Sequence, residues 1–249
     1  MNTINHEQFQ IAKEKIIGKT RERQQIGTLS EKTIHAVVKN YYEPNEDYQE
    51  IPIQGLYADI FNGSEIIEIQ TRNFDQVRKK LDRFLPLYPV TVVLPIPDSK
   101  WLYWISEETG EVSEKRKSPK KGNPYQAFIE LYKIKPYLKK NGLTIKFLFM
   151  DIEEYKLLNG WSKDKKRGSE RYDRIPLNLT KEYSFSEPKD YMQLLPDNLP
   201  VNFTSKELSK ILKINYKTSN TFLNIMYDMG VVDRIGKKGN SYIYEVVEY

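Results

Sequence analysis

An α/β fold is predicted for this chain, with a mixed sheet flanked by helices and a small separate unit at the C-terminal end. Three observations carry the prediction. Apolar residues alternate between helix-like and strand-like spacing from about residue 30 to residue 150. Asn62-Gly63 separates two apolar runs, the strongest short hairpin signal. Beyond residue 200 the pattern becomes two short helices followed by strand-like runs around Gly236-Lys237-Lys238-Gly239-Asn240. With 249 residues, 39% of them hydrophobic, the chain can build one large or two medium cores.

Residues 5–26 read as a helix with a thin apolar stripe of Phe9, Ile11, Ile16 and Ile17, interrupted by Gly27. A second helix starts near Ser30, a good N-cap, and runs to Tyr42. Its Ile34, Val37, Val38 and Tyr41 follow the i, i+3, i+4, i+7 pattern, and Pro44 stops it. Strands are expected at 48–54, 55–61 and 64–71, then a helix at 74–85 closed by Pro86, then strands at 90–95 and 101–106. A helix near 125–140 and a strand at 143–150 follow, with a polar stretch at 160–174. The proline-bearing stretch 176–200 reads as a linker.

In the tail, Thr204-Ser205-Lys206-Glu207 opens a capped helix that buries Leu208, Ile211 and Leu212. A second helix at about 217–229 carries Phe222, Ile225, Met226 and Met229 and stops at Gly230. Strands at 231–235 and 241–246 complete it. The expected segments are therefore an N-terminal helical extension at 1–27, a main domain at 28–175, a linker at 176–200 and a C-terminal domain at 201–249.

Composition removes several chemistries. The chain has no cysteine and two histidines, His6 and His35. Disulfides, zinc ribbons, thiol nucleophiles and multi-histidine metal sites are out. What remains belongs to carboxylates, amides, hydroxyls and lysines. Mean hydropathy is −0.65, and no apolar run approaches the ~20 residues of a membrane helix. The N-terminus is polar and lacks a secretory apolar region. A soluble, cytoplasmic protein is expected.

The net charge of +5 hides a division. Residues 1–114 hold 13 Lys and Arg against 18 Asp and Glu, while residues 115–174 hold 17 against 7. An acidic block followed by a basic one suits a protein that pairs an acidic centre with a track for a polyanion.

The most informative stretch is Gly55 to Gln70. A two-residue Asn62-Gly63 turn would set Phe61 opposite Ser64 and Asp59 opposite Ile66. Strand alternation then places Glu68 and Gln70 on the face of Asp59. Asp59 and Glu68 become diagonal neighbours, roughly 7–8 Å apart at the backbone. Leu56, Ala58, Ile60, Ile67 and Ile69 fall on the other face as a core layer. Glu31, three residues before Ile34 and seven before Val38, lies on the stripe that should face the sheet. Three acids and a carboxamide suit a hard divalent cation, Mg²⁺ or Mn²⁺.

This arrangement resembles the PD-(D/E)xK nuclease superfamily over about residues 28–106, with 150 as the outer limit, in a variant with Glu68-Ile69-Gln70 in place of Glu-x-Lys. No proline precedes Asp59, where Ala58 stands, and Gln70 occupies the usual lysine position. The resemblance implies a restriction-endonuclease-like core and metal-assisted phosphodiester hydrolysis. Asp59, Glu68 and Glu31 would hold the ion, and Gln70 would orient the water by hydrogen bonds. Arg72 could supply the missing positive charge; Lys79 and Lys80 on the next helix are less well placed for it.

For DNA contacts, Lys115, Arg116, Lys117, Lys120 and Lys121 flank Ser118-Pro119 in a loop. Lys163, Lys165, Lys166, Arg167 and Arg171 follow near Trp161, and both groups could track backbone phosphates. Asp151, Glu153 and Glu154 read as a solvated strand end or as partners for neighbouring bases. The tail has the element order of a winged helix-turn-helix. Lys217 and Asn220 would begin the recognition helix, and Lys237 and Lys238 would form the wing tip.

The expected partner class is nucleic acid, DNA first, with no membrane and with room for a homodimer. The leading reading is a metal-dependent DNA nuclease aided by a winged helix. The alternatives are a non-catalytic DNA-binding regulator and a protein-interaction module on a nuclease-like scaffold.

Overall fold

The computed structural model describes residues 4–22, 33–71, 73–161 and 167–248. The chain is α/β, with a large mixed sheet flanked by helices. Ten strands and six α-helices are described: α1 His6–Glu22, α2 Thr33–Tyr42, β1 Gln49–Ile53, β2 Leu56–Phe61, β3 Ile66–Ile69, α3 Phe74–Phe84, β4 Val90–Ser106, β5 Arg116–Lys117, α4 Ala127–Leu131, β6 Leu143–Trp161, β7 Arg167–Phe185, β8 Asn202–Thr204, α5 Ser205–Ile211, α6 Tyr216–Asp228, β9 Val232–Lys238 and β10 Ser241–Val246. The larger sheet has the order β1-β2-β3-β4-β6-β7, with β5 paired to β4. The chain divides into two compact units.

One unit contains residues 52–94, 123–146 and 184–249. Here β2 and β3 pair antiparallel, with Ile60 opposite Ile67 and Phe61 opposite Ile66. Strand β3 then runs parallel to β4, from Ile66 beside Val90 to Ile69 beside Val93. Ala58, Ile60, Ile66, Ile67 and Ile69 are buried, so the expected core layer forms. Helix α3 buries Phe74, Val77, Leu81 and Phe84 on one stripe. Its first N–H, that of Phe74, donates to the Glu130 carboxylate at 3.1 Å.

The turn after β2 differs from the expected two-residue one. Asn62 Oδ1 accepts from Ser64 N, Ser64 Oγ and Glu65 N, which holds a four-residue loop at 62–65. The register therefore slips by two places. An even slip preserves which face each side chain takes.

The helix expected near 125–140 is broken into a 3-10 turn at Pro124–Gln126, α4, and a second 3-10 segment at Tyr132–Tyr137. Pro136 lacks an N–H and crowds the preceding turn, and the backbone leaves helical angles at Ile134. Most of the stretch read as a linker is ordered. Strand β7 ends at Phe185, and a 3-10 helix at Pro188–Leu194 buries Tyr191 and Leu194. Tyr191 stacks on Phe185 at 4.5 Å between ring centroids.

The C-terminal elements form a three-stranded antiparallel sheet, β8-β10-β9, with α5 and α6. Thr204 and Glu207 form the capping box that their spacing predicts. Phe222 of α6 meets Phe128 edge-on at 4.7 Å and Tyr125 at 5.2 Å. The tail thus shares aromatic packing with residues 123–146.

The other unit contains residues 4–51, 95–122 and 147–183 among those described. Phe9 of α1 packs edge-on against Tyr41 of α2 at 5.8 Å. Tyr42 donates to Glu182 at 2.7 Å. The two strands expected at 90–95 and 101–106 are one, β4. Pro95 and Pro97 lie two apart, so the missing N–H groups fall on one edge and the strand continues. Strands β6 and β7 are 19 residues each, so β6 extends well past Met150. Part of the expected basic loop is also a strand, with Leu102 opposite Arg116 and Trp101 opposite Lys117.

Candidate functional site

The even slip in register brings Asp59 directly opposite Glu68 instead of diagonal to it. Backbone pairing of β2 with β3 gives way here to carboxylates. Asp59 Oδ2 accepts Ile69 N at 2.7 Å, and Glu68 Oε1 accepts Asp59 N at 3.4 Å. Both acids are buried, Glu68 at 1% exposure and Asp59 at 8%.

Lys80 of α3 completes the group. Its Nζ lies 2.6 Å from Glu68 Oε2 and 3.6 Å from Asp59 Oδ1. The apolar stripe of α3 explains the placement. Lys80 stands three residues after Val77 and four before Phe84, so it flanks the face that packs inward. That spacing is present in the sequence, but which lysine of α3 reaches the acids depends on how the helix seats its stripe.

Burial first, and then the Asp59 charge, push the Glu68 carboxyl up to about 8. Lys80 acts in the opposite direction but does not prevail. Two carboxylates converge on a single cationic point, which Lys80 Nζ takes. Hard oxygen donors so aimed fit a divalent cation in kind. Among the described residues no group of three or more Asp, Glu or His could hold a metal ion. Glu31, the expected third acid, lies outside the described residues, as does Arg72.

Gln70 is half-buried, and its Nε2 donates to Asn73 O at 3.3 Å. Its backbone N donates to Val93 O at 2.8 Å, which extends the β3–β4 pairing by one residue.

The basic residues of 115–121 and 167–171 belong to the other unit. Lys115 pairs with Glu153 at 2.9 Å and lies over the Trp101 ring at 5.1 Å. Lys117 lies over the same ring at 5.5 Å. Arg116, Lys120 and Lys121 are exposed. Arg171 reaches Glu154 at 3.7 Å. Lys163, Lys165 and Lys166 lie outside the described residues, as do the side chains of Trp161 and Arg167. In the tail, Lys217, Asn220, Lys237 and Lys238 are exposed. Arg234 stacks over Tyr227 and Tyr242 at 4.1 and 4.2 Å, an arrangement that sequence reasoning missed.

Among the described residues no helix is long and apolar enough to cross a membrane. No solved structure matches the chain. A protein of Treponema pallidum (strain Nichols), described only as an uncharacterized protein, is 27% identical over 192 residues, covering 74% of this chain and 74% of that protein. The profile described as "Domain of unknown function (DUF8091)" matches residues 32–186. That span is more than half of the chain and includes Asp59, Glu68 and Lys80, and the chain belongs to this family.

Proposed function

We propose that this protein is a metal-dependent nuclease of the PD-(D/E)xK type that hydrolyses phosphodiester bonds in DNA. The observation that carries the reading is the convergence of Asp59, Glu68 and Lys80 at one buried point. In this reading Lys80, supplied by a helix, replaces the strand lysine whose position Gln70 occupies.

Asp59 and Glu68 would hold Mg²⁺ or Mn²⁺, with Glu31 as third acid. Such an ion supplies a polarised phosphate and a more acidic attacking water. Glu68 gives up its proton to act as a ligand, because only the ionised carboxylate binds a metal well. Lys80 brings three N–H donors and a positive charge to the developing charge on phosphate. The Gln70 carboxamide, without a charge of its own, orients a water. Lys115, Arg116, Lys117, Lys120 and Lys121 supply phosphate contacts that carry no sequence preference. Lys217 and Asn220 on α6, with Lys237 and Lys238 at the hairpin tip, contact DNA as a winged helix would.

The test is cleavage of plasmid, linear, branched and single-stranded DNA by the full chain in Mg²⁺ or Mn²⁺. Glu68→Gln, Asp59→Asn and Lys80→Met should each abolish cleavage while leaving DNA binding intact. Cleavage by Glu68→Gln at the wild-type rate would refute the reading.

A second reading, a DNA-binding regulator without catalysis, is favoured by the ion pair that already engages Glu68. It predicts a mobility shift on duplex DNA that weakens with salt and no cleavage under any metal.

A further inference from the structure

Strands β4, β6 and β7 hold a second charged cluster, confined to the unit of residues 4–51, 95–122 and 147–183. Its centre is the carboxylate of Glu154, which is 4% exposed. Four cations surround it. Arg174 Nε hydrogen-bonds Oε2 at 2.7 Å, and Arg171 Nε lies 3.7 Å away. Lys100 Nζ lies 4.0 Å from Oε2, and Lys156 Nζ lies 3.9 Å from Oε1.

Among the described residues, this single carboxylate stands within 4.0 Å of all four cations. The nearby Glu153 pairs with Lys115. The crowding is energetically unfavourable. Burial holds the Lys100 ammonium below the usual lysine range; Glu154 opposes that, while Arg174, Arg171 and Lys156 add to it. A surface that merely solvates itself would spread such charges apart. Here they are concentrated on three adjacent strands, and strand side chains are held more firmly than loop ones.

We propose that Lys100, Lys156, Arg171 and Arg174 form a phosphate-binding site, with Glu154 as the anchor that orients Arg174. A phosphate group is anionic, and its oxygens match the forked donors of arginine. The Lys100 and Lys156 contacts to Glu154 at 4.0 and 3.9 Å are longer than hydrogen bonds, so these ammonium groups can turn to a ligand without leaving the carboxylate. The site needs neither Asp59 nor Glu68, and it stands whether or not the protein cleaves DNA.

The experiment compares the full chain with a Lys100→Gln/Lys156→Gln double variant. Melting is followed in inorganic phosphate and in chloride at equal ionic strength, and binding of a short labelled DNA duplex is followed by anisotropy across a salt series. Because the substitutions relieve like-charge crowding, the double variant should melt no lower than the wild type in chloride. Phosphate should raise the melting temperature of the wild type and not of the variant. Duplex affinity should fall about tenfold or more, with the slope of log K against log salt shrinking by about two. Loss of the phosphate response with unchanged duplex binding assigns the site to a small phosphate compound and still supports the proposal. Equal phosphate and chloride responses in both proteins, with unchanged duplex binding, overturn it. Asp59→Asn, whatever its melting temperature in chloride, should keep the wild-type phosphate increment and salt slope, which separates this outcome from the fate of the nuclease reading.

Discussion

Lys80 Nζ lies 2.6 Å from Glu68 Oε2, and that contact joins a helix to the strand beside it. Glu68 side chain is 1% exposed and Lys80 is 25% exposed. The carboxyl is therefore removed from water while the ammonium keeps partial access. Removing either partner leaves the other with an unmet electrostatic demand.

Lys80→Met should be destabilising, and most strongly above pH 8, where Glu68 is ionised. A loss of roughly 3 kcal/mol is expected there, at the lower end for a broken buried pair because Lys80 is partly solvated. At lower pH the carboxyl takes up a proton and the loss shrinks. Urea denaturation at two pH values measures both. Glu68→Gln in the Lys80→Met background should recover most of the loss.

The raised carboxyl of Glu68 gives a second prediction, made for the ion-free protein. Its folded value of about 8 exceeds the ordinary 4.5, so between these values the folded state binds the proton more tightly than the unfolded chain. Its stabilising contribution is full below pH 4.5 and is lost as pH rises through 8. The wild type should accordingly lose stability relative to Glu68→Gln across that window. Parallel melting curves for the two proteins would contradict the assignment.

Phe222→Ala should cost about 3–5 kcal/mol, because it empties an aromatic contact with Tyr125 and Phe128 in a buried position. By the same reasoning, a chain ending at residue 200 should melt lower than the full chain and bind a hydrophobic dye. A truncated protein with unchanged melting would show that residues 123–146 do not need the tail.

Gly122→Ala probes the end of the basic stretch. A Cβ there would meet Pro97 O at 2.4 Å and Asp98 Cα at 2.9 Å, both backbone atoms that cannot turn aside. The Gly122 N to Asp98 O hydrogen bond of 2.8 Å fixes the same approach. Loss of about 2 kcal/mol or more is expected by analogy with overpacked cores. Thermal melting checks it.

Much of the helix and strand order was legible because burial imposes period. The Ile34, Val37 and Val38 spacing marks α2, and the Phe74, Val77, Leu81 and Phe84 spacing marks α3. Less legible was the extent of β6 and β7. Their outer halves carry Glu153, Glu154, Lys156, Arg171 and Arg174, so they read as polar loop. In the structure those charges meet across strands, as Glu153 does Lys115 and Glu154 does Arg174, a relation that local composition does not express.

The sequence by itself determined that Asp59 and Glu68 share a face. Strand side chains alternate, and any loop with an even change in length returns the same parity. Only the tertiary structure decided that the two acids stand directly opposite, because the Asn62 side chain organises a four-residue loop in place of a two-residue turn. It also decided that the cation between them is Lys80. A helix surface offers several lysines, and which one reaches a strand depends on how that helix seats its apolar stripe. The Phe74, Val77, Leu81 and Phe84 stripe is buried in one orientation, and Lys80 is the lysine which that orientation delivers.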